Sequence, residues 1–289
     1  MIKNITILGA GAMGSRIAIK LLEAGYKVAV YNRSKNRVSA LVELGAEYFD
    51  TPFSAVISAD LVISMLTNDK AAHSVWLDSQ SGAIHGMKPG AIAIESSTLS
   101  VECVAHLSEA FAQKGVDFLD APVVGSRPQA DAGVLVFLVG GCERVLAKTA
   151  QVLSHLSSAV YYLGESGKGA IMKLAVNAYF GVQVAALSEV TALLQKSGID
   201  KQQSVELLNK LPVTSPALQG IGVLIEKNNF QPFFPIALVE KDFSYMLNYA
   251  KQLNVKLPTI FATHTSFQSA IEQGFAEDNI AGVAQLWLS

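Results

Sequence analysis

Lys173 and Asn177 stand four residues apart within a mostly apolar run, GAIMKLAVNAYFGVQVAALSEV. On a helix that spacing puts them one above the other on a single face. A lysine in apolar surroundings is costly to keep charged, which suits it to proton transfer. Most helical lysines lift their ammonium to water and do nothing chemical, so the weight of Lys173 depends on the rest of the chain.

The second chemical signature is Gly9-Ala10-Gly11-Ala12-Met13-Gly14, between the β-rich KNITIL and a helical pattern with Ile17, Ala18, Leu21 and Leu22 on one side. Strand, G-x-G-x-x-G, helix is the context of a dinucleotide fingerprint. Gly9 permits the tight turn, Gly11 lets the backbone approach a pyrophosphate, and Gly14 lets helix and strand pack closely. The N–H groups opening the helix, around Ala12 and Met13, face the phosphates. The next strand, KVAVY, ends in Asn32-Arg33-Ser34 rather than in an acid that would bind ribose hydroxyls. Those three residues can instead neutralise and hydrogen-bond a 2′-phosphate, so NADP(H) is the expected cofactor, with NAD(H) use left open by an Arg33 that only stacks on adenine.

These groups need a frame. The first half alternates strand and helix through Leu61–Met65, Ala91–Ile94, Val116–Leu119, Val134–Val139 and Ala159–Leu163, which predicts a doubly wound parallel sheet. The loops Leu66-Thr67-Asn68-Asp69 and Glu95-Ser96-Ser97-Thr98 then fall at the carboxyl edge, where open α/β sheets bind ligands. In Ala121-Pro122-Val123-Val124-Gly125-Ser126, backbone N–H groups near Gly125 and the Ser126 hydroxyl could hold a carboxylate, although an ordinary loop before an edge strand has the same look. From Gly164 to Gly198 the chain reads as one long helix, apolar almost all round and hence buried, joining the halves. Beyond it, segments near 202–210, 217–227, 236–253, 258–273 and 279–288 read as helices. The expected organisation is α/β: an N-terminal Rossmann-type domain over 1–164, then an all-α domain over 165–289.

Composition sets limits. The 289 residues carry a formal charge of −2 and no basic run, so neither nucleic acid nor an anionic membrane is an evident partner. The uncharged stretch Leu174–Ser188 falls short of the roughly 20 residues a bilayer needs. Cys103 and Cys142 make no disulfide framework, and five scattered histidines offer no metal-ligand spacing, so no metal is expected. The N-terminus runs straight into a strand without a leader pattern, which predicts a cytoplasmic protein. An apolar fraction of 51% and the apolar helix suggest association into a homodimer or homotetramer.

Taken together, these residues resemble the β-hydroxyacid dehydrogenase family, which includes 3-hydroxyisobutyrate dehydrogenases and glyoxylate/succinic semialdehyde reductases. GAGAMG looks like its cofactor fingerprint, DAPVVGS like its substrate loop and GKGAIMKLAVN like its catalytic segment. The resemblance makes Lys173 the catalytic lysine and Asn177 a catalytic and substrate-binding asparagine. In EKDFSYML it brings Lys241 to the nicotinamide end of the cofactor and makes Asp242 a support of the substrate site. It implies that Thr98 contacts cofactor and substrate and that Phe234 lines the pocket. One position departs: Val124 stands where the family commonly has serine, which replaces a hydroxyl by an isopropyl group and bears on the substrate accepted. The implied reaction interconverts a small aldehyde acid and its hydroxyacid, with Lys173 as general acid/base. Val124 also leaves room for an imine reductase or a dehydrogenase of a non-acid substrate, against which Lys173 counts. A non-catalytic NADPH-binding sensor or scaffold is the third alternative, since such a fold can bind nucleotide without turnover.

Overall fold

A computed structural model describes residues 2–288. The chain divides into two compact units, Met1–Lys173 and Leu174–Ser289. The division falls inside the long helix. The reason is that the first turns of this helix pack with the α/β unit, with Ala170 in its core.

Strands in the first unit are β1 (Asn4–Leu8), β2 (Lys27–Tyr31), β3 (Glu47–Phe49), β4 (Leu61–Ser64), β5 (Ile92–Glu95), β6 (Asp117–Asp120), β7 (Val123–Val124), β8 (Leu135–Gly141) and β9 (Ser157–Gly164). They form one sheet in the order β3-β2-β1-β4-β5-β6-β8-β7, with β9 also on β8. Its helices are α1 (Gly14–Glu23), α2 (Ser39–Glu43), α3 (Pro52–Val56), α4 (Asp69–Leu77), α5 (Ala83–Gly86), α6 (Val101–Gln113), α7 (Arg127–Asp131) and α8 (Glu143–Ser154). One apolar core, with Ile17, Leu21, Leu41 and Val152, lies on one sheet face. A second, around Trp76, Leu107 and Phe111, fills the other. This is the layering that alternating apolar strands and amphipathic helices require.

The Rossmann-type fold is as expected, with two refinements. β3 and the short helices α5 and α7 lie in stretches too brief to show a period. The sheet is also not parallel throughout: β8 runs antiparallel to β6 and β7. The chain reverses after β7, through Gly125 and α7, so β8 returns along β6 and β7 without the long crossover that a parallel pair needs.

The long helix α9 (Lys168–Lys196) ends at Gly198, whose φ of +88° allows the closing turn in which Ile199 N–H reaches back to Leu194 O. The expectation that α9 is buried all round fails. Leu174, Val184 and Leu187 are buried, but Tyr179 is 69% and Leu193 67% exposed. Length and composition alone would let α9 cross a membrane, yet half of its most apolar window is buried within the protein, as in a core helix.

In the second unit, α10 (Lys201–Lys210), α11 (Pro216–Glu226), α12 (Ile236–Gln252) and α13 (Pro258–Glu272) follow. Several start on the signals the sequence carries: Asp200 and Ser215 cap α10 and α11 through side-chain oxygens, and Pro216 and Pro258 occupy first-turn positions. The last segment differs from expectation. It is a 3₁₀ helix over Ile280–Leu286, started by the Asn279 side chain. Phe243, Phe267, Ile236 and Val283 centre the core of this unit.

Candidate active site

The fingerprint turn has the geometry that its glycines imply. Gly9 ends β1 at φ +98°, and a Cβ there or on Gly14 would strike backbone oxygen. Space at Gly11 is open within 4 Å of where a Cβ would stand. α1 starts without a side-chain cap or an acidic residue in its first turn. Donors and room at a helix N-terminus fit a pyrophosphate. After β2, Asn32 Nδ2 donates to Ser34 O at 2.9 Å, which sets the loop, and Arg33 is exposed.

The carboxyl edge of the sheet is polar and fully buried. Ser64, Glu95 and Asp120 end β4, β5 and β6 as neighbours in register, each 0% exposed. Glu95 accepts from Trp76 Nε1 at 2.8 Å and from Ser97 N–H at 2.8 Å. Ser97 Oγ in turn accepts from Leu66 N–H at 2.7 Å. The loops carrying Leu66 and Thr98 are therefore tied to one buried carboxyl. Burial pushes Glu95 above the ordinary carboxylate range, against the pull of Ser64, Ser97 and Trp76. Asp120 is also raised by burial, opposed by the N–H groups of Gly167 and Ala170. Neither carboxyl stood out in the sequence as more than a strand end. The legible signal was an acid closing each of two apolar strands in a parallel sheet.

The loop Val124-Gly125-Ser126 departs from the anion nest expected of it. Gly125 has φ +125°, and a Cβ there would press on Leu135 and Gln129. However, Ser126 N–H donates to Gln129 Oε1 at 2.9 Å, because Ser126 opens α7 and the glutamine reaches back to it. That N–H is therefore engaged within the protein, and Val124 is half-buried.

On α9, Lys173 is half-buried and Asn177 buried, one turn further along. Asn177 Nδ2 donates to Asp242 Oδ2 at 2.6 Å, and Lys241 Nζ pairs with Asp242 Oδ1 at 2.8 Å. An ionised carboxylate only accepts, so the Asn177 amide must turn its nitrogen to Asp242 and its carbonyl oxygen away. Lys241 also lies over the Tyr245 ring, 4.6 Å from its centre. Adjacent Lys241 and Asp242, which composition reads as a solvated surface pair, are instead 15% and 3% exposed at their side chains. Phe234 is half-buried ahead of α12 and packs on the helical core. The structure thus gathers Asn177, Lys241 and Asp242 into one cluster, and Leu66, Ser97 and Glu95 into another.

A dinucleotide turn opening a doubly wound sheet, followed by a helical unit with a buried Lys–Asp–Asn cluster, defines a nicotinamide-dependent oxidoreductase. Residues 4–164 match the family model described as the NAD binding domain of 6-phosphogluconate dehydrogenase. Residues 167–287 match that described as NAD-binding of NADP-dependent 3-hydroxyisobutyrate dehydrogenase. The chain belongs to the β-hydroxyacid dehydrogenase family. It is 34% identical to the oxidoreductase YfjR of Bacillus subtilis, over 95% of this chain and 96% of that one. It is 31% identical to glyoxylate/succinic semialdehyde reductase 1 of Arabidopsis thaliana, over 98% of this chain and 97% of the relative. Among solved structures, the 3-hydroxyisobutyrate dehydrogenase of Mycobacterium tuberculosis superposes with a TM-score of 0.90 at 25% identity, covering 100% of both chains.

Proposed function

We propose that the protein is a cytoplasmic, NADP(H)-preferring reductase of small aldehyde acids, working reversibly on the matching hydroxyacid. The observation that carries this reading is the Asn177–Asp242–Lys241 cluster, one helical turn from Lys173. A buried carboxylate that fixes an amide and an ammonium is costly to build, and such pre-ordered polar groups serve to orient a reacting molecule. The identities to semialdehyde reductases support the substrate class.

The bound cofactor supplies or accepts the hydride at the carbonyl carbon. Lys173, protonated, donates to the developing alkoxide during reduction, and its charge stabilises that oxygen. In oxidation the neutral amine takes the hydroxyl proton. Asn177, its nitrogen held by Asp242, offers its carbonyl oxygen to the Lys173 ammonium or to a substrate hydroxyl. By the family resemblance Thr98 and Phe234 are further substrate contacts. Gly125 and the Ser126 side chain hold the carboxylate, since the Ser126 N–H is already engaged. Apolar side chains left exposed on α9, such as Tyr179 and Leu193, are the surface that a second copy would cover in a homodimer or homotetramer.

Lys173→Ala is expected to lower kcat by about 10²–10⁴-fold, the range for loss of a general acid, with NADPH affinity nearly unchanged. Steady-state reduction of glyoxylate and succinic semialdehyde, beside a cyclic imine, checks it. Wild-type turnover by the variant would end the role of Lys173, and a preference for the imine would end the substrate class. Arg33→Ala is expected to raise KM for NADPH by about 10–100-fold, the loss of one charge-assisted contact of about 1.5–3 kcal/mol, and to leave KM for NADH in place. Equal effects on both cofactors would refute the 2′-phosphate role.

A further inference from the structure

Asp120 has no part in the chemistry above, yet the chain is built closely around it. Its Oδ1 accepts from Gly167 N–H at 2.8 Å and its Oδ2 from Ala170 N–H at 2.9 Å. Gly167 immediately precedes α9 and Ala170 lies in its first turn, which holds no acidic residue of its own. Two glycines make the approach possible. A Cβ on Gly140 of β8 would lie 2.6 Å from Asp120 Oδ1, and one on Gly169 would lie 2.9 Å from Oδ2 and 2.7 Å from the Asp120 carbonyl oxygen. Strand, helix and carboxyl close on one another with no room for a methyl group.

We propose that Asp120 is the positioning residue of Lys173, an inference that rests on the general-acid reading of that lysine. Ala170 precedes Lys173 by three residues, which is about 4.5 Å along the axis and on the same face. One hydrogen bond would leave the first turn free to pivot. Two, from N–H groups three residues apart to the two oxygens of one buried carboxyl, fix its rotation and its axial position together. The first N–H groups of a helix have no partner within it and fray unless something holds them. Here the holder stands at the end of the rigid central sheet, so the lysine inherits the precision of the sheet. Misplacement of a reacting group by about 1 Å can cost about 10²-fold in rate.

The test is a double-mutant cycle on the full-length enzyme with NADPH and an aldehyde acid. Asp120→Asn keeps the shape and one acceptor. It should lower kcat by about 10–100-fold, leave NADPH affinity within about twofold, and speed amide hydrogen exchange at Gly167 and Ala170. Because Asp120 acts through the amine, Asp120→Asn added to Lys173→Ala should slow the residual rate no further. A double variant slower than Lys173→Ala by the full Asp120→Asn factor would make Asp120 merely structural and overturn the proposal. So would an unchanged kcat alongside faster exchange. Should Asp120→Asn fail to fold, Asp120→Ser, a smaller side chain with one hydroxyl acceptor, enters the same cycle with the same expected outcomes. Lys173→Ala alone reports on the general-acid reading, so failure of that reading is seen separately from failure of this inference.

Discussion

The two units bury their carboxylates in opposite ways. In the α/β unit, Asp120 is held by backbone N–H groups, and Glu95 by a backbone N–H and an indole locked in the core. In the helical unit, Asp242 is held by two side chains, the Asn177 amide and the Lys241 ammonium. Glu240 repeats the pattern there, bonded to His264 Nε2 at 2.7 Å and Ser244 Oγ at 2.9 Å. Backbone donors are fixed by the fold and lose no side-chain freedom on pairing, whereas side-chain partners must be ordered and can let go. The first arrangement suits a frame that must not move. The second suits groups that exchange partners when a ligand arrives.

The largest effect should come from breaking the side-chain-held cluster. Asp242→Ala leaves a mostly buried ammonium and a buried amide without their acceptor, and removing one member of a buried pair costs about 3–5 kcal/mol. Urea unfolding should register that loss, and turnover should fall with it because the Asn177 amide loses its orientation. Asp242→Asn, which keeps an acceptor, should cost less. If Asp242→Ala changed neither stability nor turnover, the side-chain-held cluster would have no organising role and the contrast between the units would collapse.

The contrast also accounts for how much the sequence revealed. The Rossmann-type unit was legible because its devices are local: Gly9, Gly11 and Gly14 sit within one turn, and strand–helix alternation has a short period. The helical unit was legible only as helices, through Pro216, Pro258 and the apolar spacing. Its Asn177–Asp242 bond joins residues 65 apart in sequence, a pairing that no window can show. Resemblance brought both residues into view, but Lys241 and Asp242 read by composition as surface charges. Asp120 was hidden differently, since backbone N–H donors are the same for every residue type. The burial assigned to α9 erred because an apolar face records that water is disfavoured there, not which part of the chain covers it. Tyr179 and Leu193 have no cover in one chain.

A middle-sized effect tests the frame itself. Trp76→Phe removes the indole N–H to Glu95 and, because Trp76 is fully buried, also leaves a small cavity beside Phe111. Beside the cavity cost, which does not vary with pH, the hydrogen bond is worth about 0.5–1.5 kcal/mol to a neutral carboxyl and about 1.5–3 kcal/mol to an ionised one, and the pH dependence reads that difference. The sign with pH follows from burial, which raises the Glu95 carboxyl above its ordinary 4.5. A raised acid contributes stability in full below that value and loses it as pH rises through the folded-state value. The indole N–H favours the ionised form, so the cost of Trp76→Phe should shrink toward pH 4. Thermal melts of both proteins from pH 4 to 8 would show it, and a cost that stayed constant would place the indole bond outside the titration.

Asp60 offers the smallest effect and the sharpest comparison, because one carboxylate there has both kinds of partner. It accepts from Lys3 N–H and Asn4 N–H at 2.9 Å each, and from Lys88 Nζ at 2.7 Å. Partial burial works to raise it, but Lys88 and the two N–H groups together hold it down at about 2. A lowered acid contributes stability above its ordinary 3.8, and that contribution fades as pH falls through about 2. Lys88→Met removes the side-chain partner and leaves the backbone pair. As Lys88 is exposed, the loss at neutral pH should stay below about 1 kcal/mol. The acid limb of the stability curve should move upward but stop short of 3.8, because the two N–H groups cannot leave. An acid limb that moved all the way to 3.8 would mean that the ammonium alone holds the charge. Backbone donors would then have no special hold on a carboxylate in this fold, at the surface or beneath it.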